Sequence, residues 1–177
     1  YCSMKKPQAL REYLLKSLPD LPIDQDRLRI VADQGSMQCL LTSGYSFEMS
    51  YKLEILLTEC VIEPEVIALV IFTWLKEQQS ELMANHAKSK EAITFESEII
   101  DNEKSDIYFS INLSERIIVE KNDDGQLSIS YPDEPTYTAF EDASNVQVIR
   151  GDEVLFEFTT IEKQGWSLDM PFPGRNP

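Results

Sequence analysis

Hydrophobic and polar residues alternate from Ser46 to Cys60, and this pattern predicts one unusually long β-strand. Along SFEMSYKLEILLTEC, every second residue from Phe47 to Leu57 is apolar, and the intervening positions are polar apart from Leu56. Strands in globular domains usually have about 5 or 6 residues. Alternation with a period of two indicates one buried and one exposed face. We therefore expect a long strand that packs one face against a core.

The segment after this strand predicts a helix that is apolar on nearly all sides. Glu63-Pro64-Glu65 suits a helix start, because proline lacks the N–H that is unsatisfied there. One helical face carries Ile67, Val70, Ile71, Trp74 and Leu75, and the other carries Val66, Leu69 and Phe72. We expect the first face to cover the sheet and the second to contact a neighbouring molecule. The alternative is that the C-terminal segment of the same chain buries the second face.

The rest of the pattern predicts one more main helix and several strands. An amphipathic stripe follows Pro7 and must stop before Pro19; it consists of Leu10, Leu14, Leu15 and Leu18. Short strands are predicted at 28–32 and 37–41 with a hairpin turn between them, and longer strands at 93–100 and 106–120. Further hairpin turns are predicted at 122–125 and 150–153. This order indicates an α+β fold, with a mixed or antiparallel sheet, two main helices packed on one face and a C-terminal β-hairpin extension.

The chain divides by composition into a main domain and an extension. Its 177 residues suit one full core with a modest appendage. We interpret residues 4–131 as the α+β domain, and residues 132–177 as an extension with a hairpin and an irregular tail. Residues 1–3, which precede Met4, are interpreted as a processing scar.

The charge of the chain is strongly acidic and unevenly distributed. The formal net charge is −15, with 10 Lys and Arg against 12 Asp and Glu in residues 1–90, and 6 against 19 in residues 91–177. Such a surface repels phosphate, so tight binding of nucleic acid is not expected. The first helix carries a basic face formed by Lys5, Lys6, Arg11 and Lys16. This face is interpreted either as a solvated helix surface or as a docking site for an acidic partner.

The residues that usually carry catalysis or bind metals are sparse. His86 is the only histidine, and the three cysteines, Cys2, Cys39 and Cys60, have neither a zinc-binding spacing nor a disulfide pattern. The paired acids lie in predicted turns, where solvated carboxylates are common. The apolar run from Val66 to Leu75 is about half of what spans a bilayer. We expect no catalytic residue, no metal, no cofactor and no membrane contact.

Several segments together resemble the tail completion protein R family of temperate phages with contractile tails. They are KKPQALREYLLKSLPDL, DRLRIVADQG, SFEMSYKLEILLTE, WLKEQQSELMAN and ITFESEIIDNEKSDIYFSINLSERIIVEK. The resemblance covers roughly residues 4–131. It implies a structural, non-enzymatic protein of a phage or prophage tail with a fold like that of tail terminators. It also implies a homo-oligomeric ring, a hexamer by analogy, that contacts tail tube and neck proteins.

The residues and the resemblance together predict a function in the assembly of a phage tail. A ring subunit that caps the tail tube and enables head–tail joining would be made in the host bacterial cytoplasm and end in the virion tail. The alternatives are another neck or baseplate component, a small acidic domain that binds a metal or ligand through its turns, and a cytosolic enzyme that uses His86 or a cysteine. The candidate interface residues are Val66, Leu69, Phe72, Lys5, Lys6, Arg11 and Lys16.

Overall fold

The computed structural model describes residues 4–18, 25–39, 44–84, 92–132 and 145–159. The helices are α1 (Lys5–Ser17), α2 (Pro64–Gln78) and α3 (Ser80–Ala84), and a 3-10 turn at Gln25–Arg27 leads into the first strand. The strands are β1 (Leu28–Cys39), β2 (Phe47–Cys60), β3 (Ile93–Ile99), β4 (Ser105–Lys121), β5 (Leu127–Ser130), β6 (Asn145–Arg150) and β7 (Glu153–Thr159). The predicted α+β fold is confirmed. His86, Pro19 and the tail after residue 159 lie outside the described residues.

The main sheet has the strand order β1-β2-β4-β3, and β5 pairs with the end of β4. All pairings between described strands are antiparallel, which decides between the two sheet types expected from the sequence. The two central strands, β2 and β4, pair continuously from Phe47 opposite Ile117 to Leu57 opposite Ile107. The sheet is therefore built around the long strand that the alternation predicted and an even longer partner of 17 residues.

One face of this sheet carries the core, and both main helices pack on it. Buried side chains alternate along β2 and β4, and the same cluster contains the inner faces of α1 and α2; its members include Leu53, Ile55, Ile107, Phe109, Leu10, Leu14, Ile67 and Trp74. Burial of such apolar side chains is the dominant favourable contribution to folding. The prediction of two helices on one face of the sheet is confirmed.

The first strand differs from the sequence-based expectation. Instead of two short strands around a hairpin turn, β1 is one strand of 12 residues that pairs with β2 along its length. The predicted turn is a β-bulge, because the register shifts between Asp33 and Ser36, and Gln34 has a φ of 51°. A polar segment with a glycine suits a bulge as well as a turn. Only the pairing of β1 with β2 shows that this segment forms a bulge and not a turn.

The C-terminal hairpin of β6 and β7 lies against the helices. Val148 is buried in the common core, and Val146, Leu155 and Phe156 are partly buried against it. The guanidinium of Arg150 donates from Nη1 to Oε1 of Glu63 at 2.7 Å, which ties the hairpin to the start of α2. The hairpin predicted around residues 150–153 is therefore present, and Gly151 adopts the positive φ of 61° that its turn requires.

Candidate functional site

The outer face of α2 leaves two large apolar side chains at the surface. Leu69 is 43% exposed and Phe72 is 38% exposed, whereas Val66 is only 7% exposed. With 3.6 residues per turn, Val66 lies below the fully buried Val70 rather than beside Phe72. The expectation that all three share one outward face is therefore wrong for Val66. We call Leu69 and Phe72 the helix surface.

A second apolar area lies where the sheet extends beyond the helices. Met37, Leu127 and Ile129 are exposed. In register, Met37 is opposite Met49, and Ile129 is opposite Val119, so these residues lie on the face of the sheet that elsewhere carries the core. The described helices do not cover this part of the face. The helix surface and this end of the sheet are thus two of the places where the described residues expose apolar side chains.

The basic face predicted for α1 is not a single surface. Lys5 and Lys16 are exposed, but Arg11 is half-buried and donates from Nη1 to the carbonyl oxygen of Leu28 at 2.7 Å. Lys6 is 4% exposed and points into the protein. The expectation of an outward face with four cations is therefore corrected. The reason is that α1 packs closely on β1 and β4, so one cation is drawn to a strand carbonyl and another lies beneath the helix.

Lys6 belongs to a buried group of polar side chains between the helices and the sheet. Its Nζ donates to Oε1 of Gln79 at 2.5 Å and to the carbonyl oxygen of Ser114 at 2.6 Å. Gln79 directly follows α2, and its amide donates to the hydroxyl of Ser114 at 3.1 Å. These bonds join the start of α1, the end of α2 and the middle of β4. Buried polar groups of this kind are costly unless they have partners, and here each is satisfied.

The carboxylate of Glu115 is the second half of this group. It is buried and accepts the backbone N–H of Lys5 at 3.3 Å, the backbone N–H of Lys6 at 3.2 Å, and the hydroxyl of Tyr51. The first N–H groups of a helix have no partner within the helix and attract negative charge. Glu115 therefore caps α1 from β4. We call Lys6, Tyr51, Gln79, Ser114 and Glu115 the buried polar cluster.

Sequence reasoning missed the buried polar cluster, although one signal was present. Leu113, Glu115 and Ile117 occupy consecutive positions on one face of β4, so an acid interrupts an otherwise apolar alternation. Such an interruption marks a carboxylate that is turned toward the core. The partner of that carboxylate was not evident, because Lys5 and Lys6 are more than 100 residues away in the chain.

Burial raises the pKa of Tyr51, and its hydrogen bond to the Glu115 carboxylate raises that pKa further. Burial likewise raises the pKa of Tyr13, whose hydroxyl lies 3.0 Å from Oγ1 of Thr73 on α2. Both tyrosines are thus held in the neutral form, in which a hydroxyl donates a hydrogen bond. The hydroxyl of Tyr13 therefore links α1 to α2, and the hydroxyl of Tyr51 links β2 to the carboxylate that caps α1.

The comparisons with known proteins identify a single family. Residues 4–135 match the family described as P2 phage tail completion protein R (GpR). The chain is also 32% identical over 132 residues to the tail completion protein R of Escherichia phage P2, covering 75% of this chain and 84% of that protein. This chain belongs to the tail completion protein R family. No solved structure matches it significantly.

The match to the family covers both apolar surfaces and the buried polar cluster. It ends at residue 135, before β6 and β7 begin. The resemblance inferred from the sequence is confirmed, and with it a structural role in completing a phage tail. The protein is accordingly a component of the virion tail.

The described residues of this family member also bear on metal binding, on its cysteines and on membrane-spanning helices. Within residues 4–18, 25–39, 44–84, 92–132 and 145–159, no group of three His, Cys, Asp or Glu is arranged to hold a metal ion. Cys60 is buried, whereas Cys39 is exposed. None of the helices in these ranges is both long and apolar enough to span a membrane.

Proposed function

We propose that this tail completion protein is a subunit of a homo-oligomeric ring that caps the tail tube and enables the head to join. The observation that carries the proposal is the exposed apolar area, which the monomer leaves uncovered on α2 and on the extended sheet. A ring buries such area between a patch on one copy and a different patch on the next. The family name supports the tail as the place where this happens.

The energy available from the helix surface is sufficient to matter for assembly. Burying a Leu or Phe side chain completely stabilises by about 1.5–3 kcal/mol relative to full exposure. Leu69 and Phe72 are already more than half covered, so burying the remainder contributes about 1 kcal/mol for each. Several such contacts per joint are needed, because association has a large entropic cost. The apolar side chains of the extended sheet provide further contact area.

Capping follows from the different surfaces that one ring presents at its two ends. One end contacts the last ring of the tail tube and stops further addition of tube subunits. The opposite end lacks the tube contact and instead presents a surface for neck proteins. Lys5 and Lys16, both exposed on α1, form a docking surface for an acidic partner. Assembly takes place in the cytoplasm of the host bacterium before the tail is part of the virion.

The acidic charge suits a ring through which a genome passes. With a net charge of −15 per copy, a lumen lined by this protein repels phosphate and does not retain DNA. The role requires neither a cofactor nor catalysis. A shallow depression at the end of β2, lined by residues including Arg27, Glu59 and Cys60, is much smaller than a usual ligand pocket.

Complementation of a phage that lacks its tail completion protein tests the proposal. We expect the gene for this chain, supplied in the same host background, to restore infective particles, and we expect the uncomplemented mutant to produce tails of irregular, increased length. Electron microscopy of tail lengths is the measurement. Mutant tails of normal length that lack heads would indicate that the protein acts in head–tail joining and does not cap the tube. Normal tails with heads attached would contradict both parts of the proposal.

Light scattering across a concentration series tests the ring itself. The protein is measured alone and together with purified tail tubes, because a ring is able to close only on its tube. We expect an oligomer in at least one of the two conditions. A monomer in both would contradict the homo-oligomer.

A further inference from the structure

The two edges of the main sheet differ in charge. β1 forms one edge and β3 the other, and no other described strand pairs with the outer side of either. An exposed sheet edge presents unpaired N–H and C=O groups that readily pair with another chain. Arg29 is the exposed basic residue on β1, whereas Glu96 and Glu98 are the exposed acidic residues on β3. β3 is thus an acidic edge, whereas β1 carries one exposed cation, Arg29, and one exposed anion, Asp33, which lies at the bulge.

The direction of the strands allows one edge to join the other between copies. Each strand in the order β1-β2-β4-β3 is antiparallel to its neighbour, so β1 and β3 run in opposite directions. If β3 of one copy lies beside β1 of the next in the same sheet, that new pairing is antiparallel as well. The same joint then repeats from copy to copy, which is a heterologous contact of the kind that closes a ring.

One register satisfies both faces of the joined sheet. The core face of β3 carries Ile93 and Phe95, because they pair with Ile111 and Phe109, and the core face of β1 carries Ile30, which pairs with Ile55. Placing Phe95 opposite Ile30 of the next copy covers the Phe95 side chain, which is 61% exposed in the monomer. The same register places Glu96 opposite Arg29 on the other face. Cross-strand pairs of both kinds stabilise a sheet.

Neighbouring residues are compatible with this register. Glu98 lies opposite Arg27, which precedes β1 and already contacts Glu59 at 3.7 Å. The joint would end near Asp33, because the bulge there bends β1 away from a regular edge. In this register residues 93–97 of β3 lie opposite residues 28–32, which belong to the regular part of β1. The carbonyl oxygen of Leu28 already accepts a hydrogen bond from Arg11, so the new backbone pairing begins after Leu28.

We propose that copies of this protein assemble by pairing β3 of one copy with β1 of the next, with Glu96 opposite Arg29 and Phe95 opposite Ile30. This inference rests on the homo-oligomer of the proposed function and names its joint. The partner is a second copy of the chain because both complementary edges belong to the same sequence. The helix surface would then provide contact area in addition to this joint.

Cysteine cross-linking tests the joint between copies. In a Cys2→Ser and Cys39→Ser background, Arg29→Cys and Glu96→Cys are made separately, each with a different tag, and the two proteins are mixed and oxidised. We expect the mixture to form a disulfide-linked heterodimer, and each protein alone to form at most a small fraction of that product. Within one copy the two positions are about 14 Å apart, across three strand spacings of about 4.8 Å. A disulfide needs Cα atoms within about 7 Å, so an intrachain bond is excluded.

The double variant Arg29→Cys and Glu96→Cys extends this test to the ring. We expect a ladder of covalent oligomers on a non-reducing gel that ends at the size of the closed ring. The oxidation is performed on the free protein and on tails purified from complemented phage. A mixture that cross-links no better than the separate proteins, while wild-type protein is oligomeric by light scattering, overturns this joint but not the proposed ring. Cross-links to another tail protein in place of a sister copy also overturn it.

Charge exchange provides a measurement that does not depend on cysteine chemistry. Arg29→Glu and Glu96→Arg each place like charges opposite one another, and we expect each to raise the dissociation constant of the oligomer about tenfold. The combined variant restores opposite charges and is expected to return to within about threefold of the wild type. The matched control is Lys76→Glu with Glu65→Lys, an equal exchange of exposed charges on α2. Additive weakening in the combined variant overturns the joint.

Discussion

The backbone N–H of Lys6 donates to Oε1 of Glu115 at 3.2 Å, so a carboxylate from the middle of the sheet caps the first turn of α1. Met4, the residue at the usual capping position, makes no side-chain hydrogen bond to the helix. The same carboxylate accepts from the N–H of Lys5 and from the hydroxyl of Tyr51. The placement of α1 on the sheet therefore depends on one buried acid that lies far away in the chain.

Replacing this acid by its amide, Glu115→Gln, is expected to destabilise the protein. Three donors converge on the carboxylate, and an amide offers them one oxygen and one donating NH₂ group. We expect a loss of about 2 kcal/mol in the free energy of unfolding. For a chain of this length that corresponds to a fall in Tm of about 4–8 °C, measured by thermal denaturation.

Glu120→Gln on the same strand is the matched control, because Glu120 is exposed. Its free energy of unfolding is expected to stay within about 0.5 kcal/mol of the wild type. Equal stability of Glu115→Gln and wild type would show that the capping interaction contributes nothing.

Lys6 is expected to act in stability, in contrast to the exposed cations of α1. Lys6→Met keeps the length of the side chain but removes the donor that serves Gln79 and the Ser114 carbonyl. An unsatisfied buried acceptor costs about 1–3 kcal/mol, so we expect the midpoint of urea unfolding to fall accordingly. Lys16→Met, at an exposed position, should leave that midpoint nearly unchanged. A stable Lys6→Met protein with impaired tail completion would instead assign Lys6 to docking.

The raised pKa of Tyr51 predicts a loss of stability in alkaline solution. In the unfolded chain a tyrosine ionises at a pKa of about 10, whereas burial beside Glu115 keeps Tyr51 protonated in the folded protein. Above about pH 10 the unfolded state releases the proton first, so the free energy of unfolding falls as the pH rises. Below that pH the contribution is fully present.

Tyr51→Phe removes this dependence and identifies its source. At neutral pH the variant should be less stable by about 1 kcal/mol, because the hydrogen bond to Glu115 is lost. The difference between variant and wild type should shrink between about pH 9 and about pH 11, measured by urea denaturation at each pH. A difference that stays constant over this range would contradict the assignment. Tyr131→Phe, on a more exposed tyrosine, serves as the control.

The helix surface is expected to matter more for assembly than for folding. Leu69→Ser combined with Phe72→Ser removes apolar area that the monomer leaves partly exposed. Because both side chains are more than half covered in the monomer, we expect a loss of about 2 kcal/mol in stability, together with a marked fall in oligomer and in infective particles in the complementation assay. Ile149→Ser changes an exposed apolar residue of β6, outside the part that matches the family, and should affect neither. Normal assembly by the double variant would exclude the helix surface from the interface.

The elements of this chain with strong periodic patterns could be predicted from the sequence. The alternation along β2 and β4 and the apolar inner face of α2 identify strand, helix and core, because side-chain direction follows directly from backbone geometry. The hairpins at Asn122–Gly125 and Arg150–Glu153 follow from residues that favour tight turns. The membership in the tail completion protein R family followed from the same segments.

The bulge in β1 and the burial of Lys6 were not predictable in this way. A polar segment with a glycine suits a turn and a bulge alike, and β2 decides which forms. The burial of Val66, by contrast, follows from the helical period, because Val66 lies one turn before Val70 on the inner face of α2. Lys6 is buried because Gln79 and Ser114, more than 70 residues away, supply acceptors for its ammonium group.

Local sequence therefore determined the elements, the apolar face of the sheet and the family of this protein, because these depend on periodicity and on residues close together in the chain. The tertiary structure alone decided which charges are buried, which apolar side chains remain at the surface, and which strands form the edges of the sheet. The physical reason is that each of these depends on partners distant in sequence. Whether a cation or an apolar group faces solvent is settled only when those partners are brought together.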